Sequence, residues 1–267
     1  MTQKTLILAL ETSSRIGSVA IAIGKKVLEE TTFSAPLRHS AEIFPAIGGI
    51  LNRFGRKPEQ IEQVHISIGP GSFTGLRIAT TLAKALHLAN KVKIVTADTL
   101  DVIAANAIQN TNHERIATIL DAKRGQFFIA VYQRLNENTM SFLRNLPAAA
   151  GESLRESGEQ KSISSPLSAI RYPLIKLLPD SILTAHKFLD QFAQRQKPIW
   201  LLGDGLLYYK DKFKAQGVHF FDEKFWSPKA SNVHLICWKK ALAGQFDDPL
   251  TLTPNYLLRP DIKIKKR

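Results

Sequence analysis

The stretch that most constrains this chain is His65–Leu86, HISIGPGSFTGLRIATTLAKAL, where a short apolar run passes through a glycine-rich turn directly into a helical pattern. Strand, tight turn and helix in that order form the repeating unit of an α/β domain. His65–Ile68 reads as a buried strand, Gly69-Pro70-Gly71 forces a turn with unusual backbone angles, and Ser72 or Thr74 caps the helix that follows. Leu76, Ala79, Ala83 and Leu86 recur at helical spacing, and Gly75, Ala79 and Ala83 keep part of that surface thin enough for another backbone to come close. The turn has neither the Lys-Ser/Thr pair of a phosphate-binding P-loop nor the dinucleotide fingerprint, so taken alone it is better read as a structural turn.

The rest of the chain has the same alternation. Strands are predicted at Thr5–Leu10, Ser18–Ile23 and Lys26–Phe33, the first two joined by the ETSSRIG turn. Ile43, Ile47, Ile50 and Phe54 share one face of a predicted helix over His39–Phe54, with Phe44 and Leu51 beside it, despite Pro45 and the weakening pair Gly48-Gly49. Strands at Val64–Ile68 and Val92–Thr96, the helix Phe73–Leu88 and a helix from about Leu100 to Ile108 complete a first lobe, residues 1–110. A second lobe, 111–267, opens with strands Ile116–Asp121 and Gln126–Gln133 around the charged turn DAKRG. Ala148–Ser165, rich in Gly, Glu and Ser, is expected to be a mobile surface loop. A helix over Ile182–Gln194 and a strand Ile199–Leu202 entering Gly203-Asp204-Gly205 follow. The final helix, about 233–243, is able to pack back on the first lobe, and a frayed tail IKIKKR, Ile262–Arg267, ends the chain. Each lobe starts with a strand pair around a polar turn, as related halves would.

Charge and composition exclude several classes. Thirty-six Lys and Arg against 23 Asp and Glu, a net +13, favour an acidic partner such as RNA. The basic tail Ile262–Arg267 is expected to add to such binding. No apolar run reaches the ~18 residues of a membrane span, and the N-terminus lacks a small-residue cleavage site after its short apolar stretch, so a cytoplasmic protein without a membrane partner is expected. The single Cys237 sits in an apolar helical stretch and reads as an inert core thiol. The seven histidines, at 39, 65, 87, 113, 186, 219 and 234, include no helix-borne pair of the kind that ligates a metal. Asp98 and Asp101 could share a hard cation, but with no imidazole or third ligand nearby an N-capped helix is the better account. No Gly-x-Ser-x-Gly elbow and no matched Cys and His set suggest hydrolysis.

The segment GPGSFTGLR, Gly69–Arg77, resembles the most characteristic motif of the TsaB (YeaZ) family. Further segments agree with that family in order and spacing: Leu8–Gly24, Arg38-His39 with Ile43-Phe44-Pro45, Asp121–Gly125 running into Gln126–Ala130, Leu202–Gly205, and Pro254–Arg259. The resemblance spans nearly the whole chain and is weakest over 138–180, where no motif matches. It implies an α/β chain with the two-lobed actin-like, sugar-kinase and Hsp70-type ATPase fold, built from ribonuclease H-like lobes. It also implies a non-catalytic partner subunit of TsaD in the threonylcarbamoyl modification of adenosine 37 of tRNA (t6A biosynthesis). The family's partners are TsaD, as a heterodimer, and the ATPase TsaE, with tRNA met through the complex. No cofactor is expected in the isolated chain, ATP or ADP entering with the assembled complex.

Two regions become candidate sites on that resemblance. Glu11, Thr12, Ser13 and Ser14 fall at the first hairpin turn, where folds of this class hold nucleotide phosphates and metal, although such hydroxyls also satisfy turn amides; Gly203, Asp204 and Gly205 are a second nucleotide loop or only a strand-to-helix turn. Asp121 with Lys123 and Arg124 is a phosphate clamp or a charged hairpin tip. The partner contact is expected on the first two helices, through His39, Ile43, Ile47, Gly48, Ile50, Gly75, Leu76, Ala79 and Ala83, a face that can self-pair into a homodimer without TsaD. Where TsaD carries its histidine pair this chain has Ala97-Asp98-Thr99-Leu100-Asp101, so no catalytic or metal-ligating residue is expected. The alternatives are a metal-dependent glycoprotease-like hydrolase and a free-standing ATPase or kinase of the same fold.

Overall fold

The computed structural model describes residues 5–36, 38–108, 113–134 and 174–258; the loop expected at Ala148–Ser165 and the tail Ile262–Arg267 lie outside them. The first hairpin and its third strand form as read: β1 (Leu6–Glu11), β2 (Ser18–Ile23) and β3 (Lys26–Thr32) are antiparallel neighbours. Helix α1 (His39–Arg53), β4 (Gln63–Gly69), α2 (Phe73–Asn90), β5 (Lys93–Asp98) and α3 (Thr99–Ile108) follow. Crossovers through helices make β4 parallel to β1 and β5 parallel to β4, giving a sheet of order β3-β2-β1-β4-β5.

The second sheet has the same plan. β6 (Arg115–Lys123) and β7 (Gln126–Arg134) are a hairpin, β8 (Leu174–Thr184) adds antiparallel to β7, α4 (Ala185–Phe192) leads to β9 (Ile199–Leu202), and a helical turn α5 (Leu206–Tyr209) leads to β10 (Val218–Phe220). β9 runs parallel to β6 and β10 parallel to β9, so the order β10-β9-β6-β7-β8 repeats the first sheet strand for strand. Two such sheets, each opening with an antiparallel triplet and closing with two parallel strands, are the two-lobed actin-like fold.

The second lobe differs from the reading of the sequence at β8, at the start of α4 and at β10, a three-residue strand too short to read. Ile182–Thr184 is strand and the helix begins only at Ala185, because β8 pairs with β7 as far as Thr184, whose hydroxyl then accepts from the Lys187 amide (3.3 Å) as a cap. β8 itself left no apolar alternation to read: it is an edge strand containing Pro179, with a polar Lys176 and Asp180 turned inward.

Alternation along β1 distributes the core. Leu6, Leu8 and Leu10 join Ile43, Ile47, Ile50, Leu51, Ala79 and Ala83 of α1 and α2 on one face. Ile7 and Ala9 face α6 (Ala230–Leu242), which has crossed back from the end of the chain. Both faces are covered, hence strands that are apolar at almost every position. α6 is tied down by specific bonds: Ala230 N donates to Ser18 Oγ (2.9 Å), Cys237 Sγ to Val95 O (3.5 Å) and Lys240 Nζ to Thr96 O (2.9 Å). Burial pushes the Cys237 thiol well up, away from a reactive thiolate.

Under α6, His65 of β4 and His234 stack with centroids 5.3 Å apart and Nδ1 atoms at 3.3 Å. Burial holds His65 well below its usual titration range and brings His234 down to about 4. Both are neutral in the native state, whereas in the unfolded chain they gain protons below about 6.5. Stability supplied by this pair is therefore complete above that pH and falls by roughly 1.4 kcal/mol per unit per histidine as pH drops toward 4. His234→Asn should flatten the pH dependence of the urea midpoint over that window, and parallel curves for variant and wild type would refute the assignment.

Candidate functional site

The lobes enclose a cleft of about 760 Å³, and its walls show what the glycine-rich turn is for. Gly69 joins Pro70 through a cis peptide, and Ser72 N donates to Ser13 O (2.6 Å), tying this turn to the ETSS turn. Ser72 Oγ accepts from Gly75 N (3.3 Å), so Ser72 caps α2. Gly75 is then pressed on the first hairpin: a Cβ there would lie 1.7 Å from Thr12 O, and Thr12 Oγ1 donates to Gly75 O (2.7 Å). On the far side Asn255 N donates to Ile68 O (2.8 Å) and the Tyr256 ring packs at a tilt against Phe73 with centres 5.1 Å apart, so the segment after α6 lines the cleft as well.

The predicted nucleotide residues separate into two groups. Ser13 and Asp204 line the cleft, as do Ser14, Asp121, Lys123 and Arg124. Glu11 is fully buried instead, accepting from Ser13 N (2.6 Å), Ser13 Oγ (2.5 Å) and Ser67 Oγ, and burial raises its pKa. It is turned into the first lobe rather than toward a ligand. Thr12 is spent on Gly75. Gly203, at φ +124°, would carry a Cβ 2.2 Å from Ile119 O, and one at Gly205 would be 2.9 Å from Asp121 N. These glycines let the exit of β9 cross the backbone of β6, which accounts for their presence without a phosphate.

Across the cleft mouth the Arg15 guanidinium lies 4.8 Å from the Tyr208 ring centre and donates to its hydroxyl, while Arg15 N donates to Asp204 Oδ2 (3.2 Å). Burial lifts the Asp204 pKa. Asp121 accepts from Lys123 N (2.8 Å) and Nζ (2.7 Å) at the hairpin tip, where Lys123 and Arg124 adopt left-handed angles. Asp98 and Asp101 meet a cation supplied by the chain itself. Asp101 accepts from Lys176 Nζ (2.8 Å) and from the Tyr132 hydroxyl (2.7 Å), and Lys176 also pairs with Asp180 at 2.5 Å. Burial, then the neighbouring Asp101, raises the Asp98 pKa.

The expected partner face needs correcting residue by residue. His39, Ile43, Ile47, Ile50, Gly75, Leu76, Ala79 and Ala83 are all buried within the chain's own first lobe, since the regular apolar period selects the inner face of a helix. His39 Nε2 is bonded to Ser14 O (2.8 Å) beneath Phe33. Gly48 is different, for a Cβ there meets nothing within 4 Å. Outside the core, α1 and α2 leave an apolar groove of about 530 Å³ lined by Ile43, alone of the expected partner residues, together with Phe44, Phe73, Arg77, Ile78 and Ala85 among others. Phe44 is 64% exposed and Gly48 lies four residues on along the same stripe. The signal that could have found this groove was Phe44 itself, a large apolar residue one position off the core period.

The family model for "TsaD: tRNA N6-adenosine threonylcarbamoyltransferase" matches residues 28–173. The tRNA threonylcarbamoyladenosine biosynthesis protein TsaB of Bacillus subtilis is 33% identical over 130 residues, 49% of this chain and 56% of that protein, so the match spans about half of that relative's length. TsaB of Buchnera aphidicola subsp. Schizaphis graminum is 26% identical over 228 residues, covering 85% of this chain and 90% of that protein. Among solved structures, YeaZ from Pseudomonas aeruginosa superposes with a TM-score of 0.68 at 18% identity, covering 95% of this chain and all of that one, which supports the same fold. On these matches the chain belongs to the TsaD family and, within it, to the TsaB proteins.

Proposed function

We propose that this chain is a non-catalytic partner subunit of TsaD in t6A biosynthesis, acting on tRNA through the complex that TsaD and the ATPase TsaE complete. The TsaB relatives support the process, and one observation supports the mode of action: an apolar groove between α1 and α2, with Phe44 standing 64% exposed, in a lobe whose regular apolar positions Ile43, Ile47, Ile50, Leu76, Ala79 and Ala83 are buried. A soluble chain gains by covering such a face with another helix pair, and Gly48 leaves its stripe low enough for backbone approach. Without TsaD a second copy can occupy the same groove. The competing ATPase reading is disfavoured by Glu11, which is buried under Ser13 and Ser67, and by glycines at 203 and 205 already used against β6. The hydrolase reading would need a ligand set, and the best acidic pair, Asp98 and Asp101, lies beside Lys176. ATP or ADP is then held only in the assembled complex.

Phe44→Ala should lower affinity for the cognate TsaD by about thirty-fold or more, the ~2 kcal/mol of an interfacial hot spot, and Gly48→Leu should do the same by obstruction. Neither should lower the melting temperature. Co-purification with TsaD and titration calorimetry read the binding, thermal melts read the folding and a t6A assay on unmodified tRNA reads the function, and intact binding by both variants would remove the groove from the assignment.

A further inference from the structure

We propose that the β9–β10 edge of the second lobe is an RNA-contacting surface, taking phosphates of an unpaired RNA segment on Lys210 and Lys212 and a base on the ring of His219. The inference rests on the assignment to tRNA modification and extends it by giving this chain an RNA contact of its own.

Among the described residues β10 is the last strand of its sheet, with no strand paired to its outer edge. Between residues 195 and 229 there are seven Lys and Arg against four Asp and Glu, and the acids are largely committed. Asp211 pairs with Lys214 (2.5 Å), Asp222 with Lys224 (3.3 Å), and Asp204 accepts from Arg15 in the cleft. Lys210 and Lys212 are exposed and have no carboxylate partner among the described residues. Their ammonium groups instead rest on aromatic faces: Lys210 lies 5.0 Å from the Phe220 ring and 5.7 Å from Trp226, and Lys212 lies 5.1 Å from Tyr209. A ring holds a cation in place without neutralising it.

At the same sheet edge, on the face opposite Phe220 because successive side chains of a strand alternate, His219 and Trp200 belong to a set of nearly parallel rings. Trp200 stacks on His113 at 3.8 Å and 13°, and on His219 at 5.0 Å and 26°, with Trp200 half-buried and His219 exposed. Flat rings and unneutralised lysines reaching the surface on either side of one open sheet edge are what an unpaired RNA segment wrapping that edge uses, bases on the rings and phosphates on the cations. An acidic protein would engage the lysines without requiring the exposed imidazole, whereas every nucleotide brings a phosphate and a planar base together. The surface belongs to the second lobe and the helical groove to the first, so both can be occupied at once.

The test is fluorescence anisotropy of labelled unmodified tRNA, and separately of a labelled single-stranded oligoribonucleotide, with the full-length chain over a range of salt. Reversing both charges, Lys210→Glu with Lys212→Glu, should weaken binding about ten-fold or more and reduce the slope of log affinity against log salt by about 1.5. His219→Ala should weaken it about five-fold with the salt slope unchanged, because stacking releases no counterions. Reversing Lys57 and Lys91, both exposed on the first lobe, should change affinity less than about two-fold. Circular dichroism melts establish folding, with Lys210→Gln and Lys212→Gln as the gentler pair. The proposal is overturned if the wild-type chain shows no salt-dependent RNA binding or if the first-lobe reversal weakens it equally. It is also overturned if the Lys210 and Lys212 variants keep RNA affinity but lose TsaD, which would make this a protein contact. Capture of TsaD by the wild-type chain, measured in parallel, reads the parent assignment separately from the RNA result.

Discussion

Alanine at position 75 is expected to destabilise the chain by about 3 kcal/mol, at the upper end for an overpacked site. The added methyl would stand 1.7 Å from Thr12 O and 2.9 Å from Thr12 C. Backbone cannot swing aside as a side-chain tip can, and Thr12 is fully buried and bonded to Gly75 O through its hydroxyl. For a chain of this size the melting temperature should fall by roughly 6–12 °C. Gly48→Ala is the matched contrast: the methyl meets nothing within 4 Å and helix propensity improves by about 1 kcal/mol, so its melting temperature should rise. A Gly75→Ala variant as stable as the wild type would show that the α2–hairpin contact yields cheaply and that its glycine has another purpose.

Lys176→Met should be similarly severe, at about 3–5 kcal/mol, because it strands Asp101 and Asp180 in the interior without their cation. Burial already raises Asp180 to about 6. Because this is above its unfolded value of about 3.9, the native state takes up the proton first, and stability is gained, not lost, as pH falls through 6. Without Lys176 the carboxyl group rises further, so the deficit of the variant should shrink between pH 8 and pH 5 in urea titrations. A deficit constant with pH would mean that packing of the lysine stem, rather than its charge, holds β8 against α3.

Much of the first lobe was legible because its strands and helices are bounded by strong punctuation: the ETSS turn, Gly69-Pro70-Gly71 and the residues around His39. The cleft-lining residues Ser13, Asp204, Asp121, Lys123 and Arg124 were legible for the same reason, since turns at strand ends collect at one edge of an α/β sheet. The direction of Glu11 was not, because a residue at the end of a strand points to either face and only the position of Ser67, 56 residues on, decides which. The partner face was misplaced by a general ambiguity: helical periodicity marks the face that is buried and does not distinguish burial by the same chain from burial by another. Lys176 escaped notice because its partner Asp101 lies far away in sequence and β8 carries an irregular pattern.

The return of α6 to the first sheet sets an order of events during synthesis. Ile7, Ala9, Ala20 and Ala22 have their apolar neighbours on Trp238 and Ala230, and His65 has its ring partner at His234. A nascent chain that has emerged as far as α3 therefore has strands β1, β2 and β4 complete, with α3 on the β5 side of that face, but Ile7, Ala9, Ala20 and Ala22 without their α6 partners until more than a hundred further residues have left the ribosome. Contacts between such distant segments also slow folding. The interval exposes this part of the sheet face to chaperones and to strand exchange, and it is the docking of α6 that closes it.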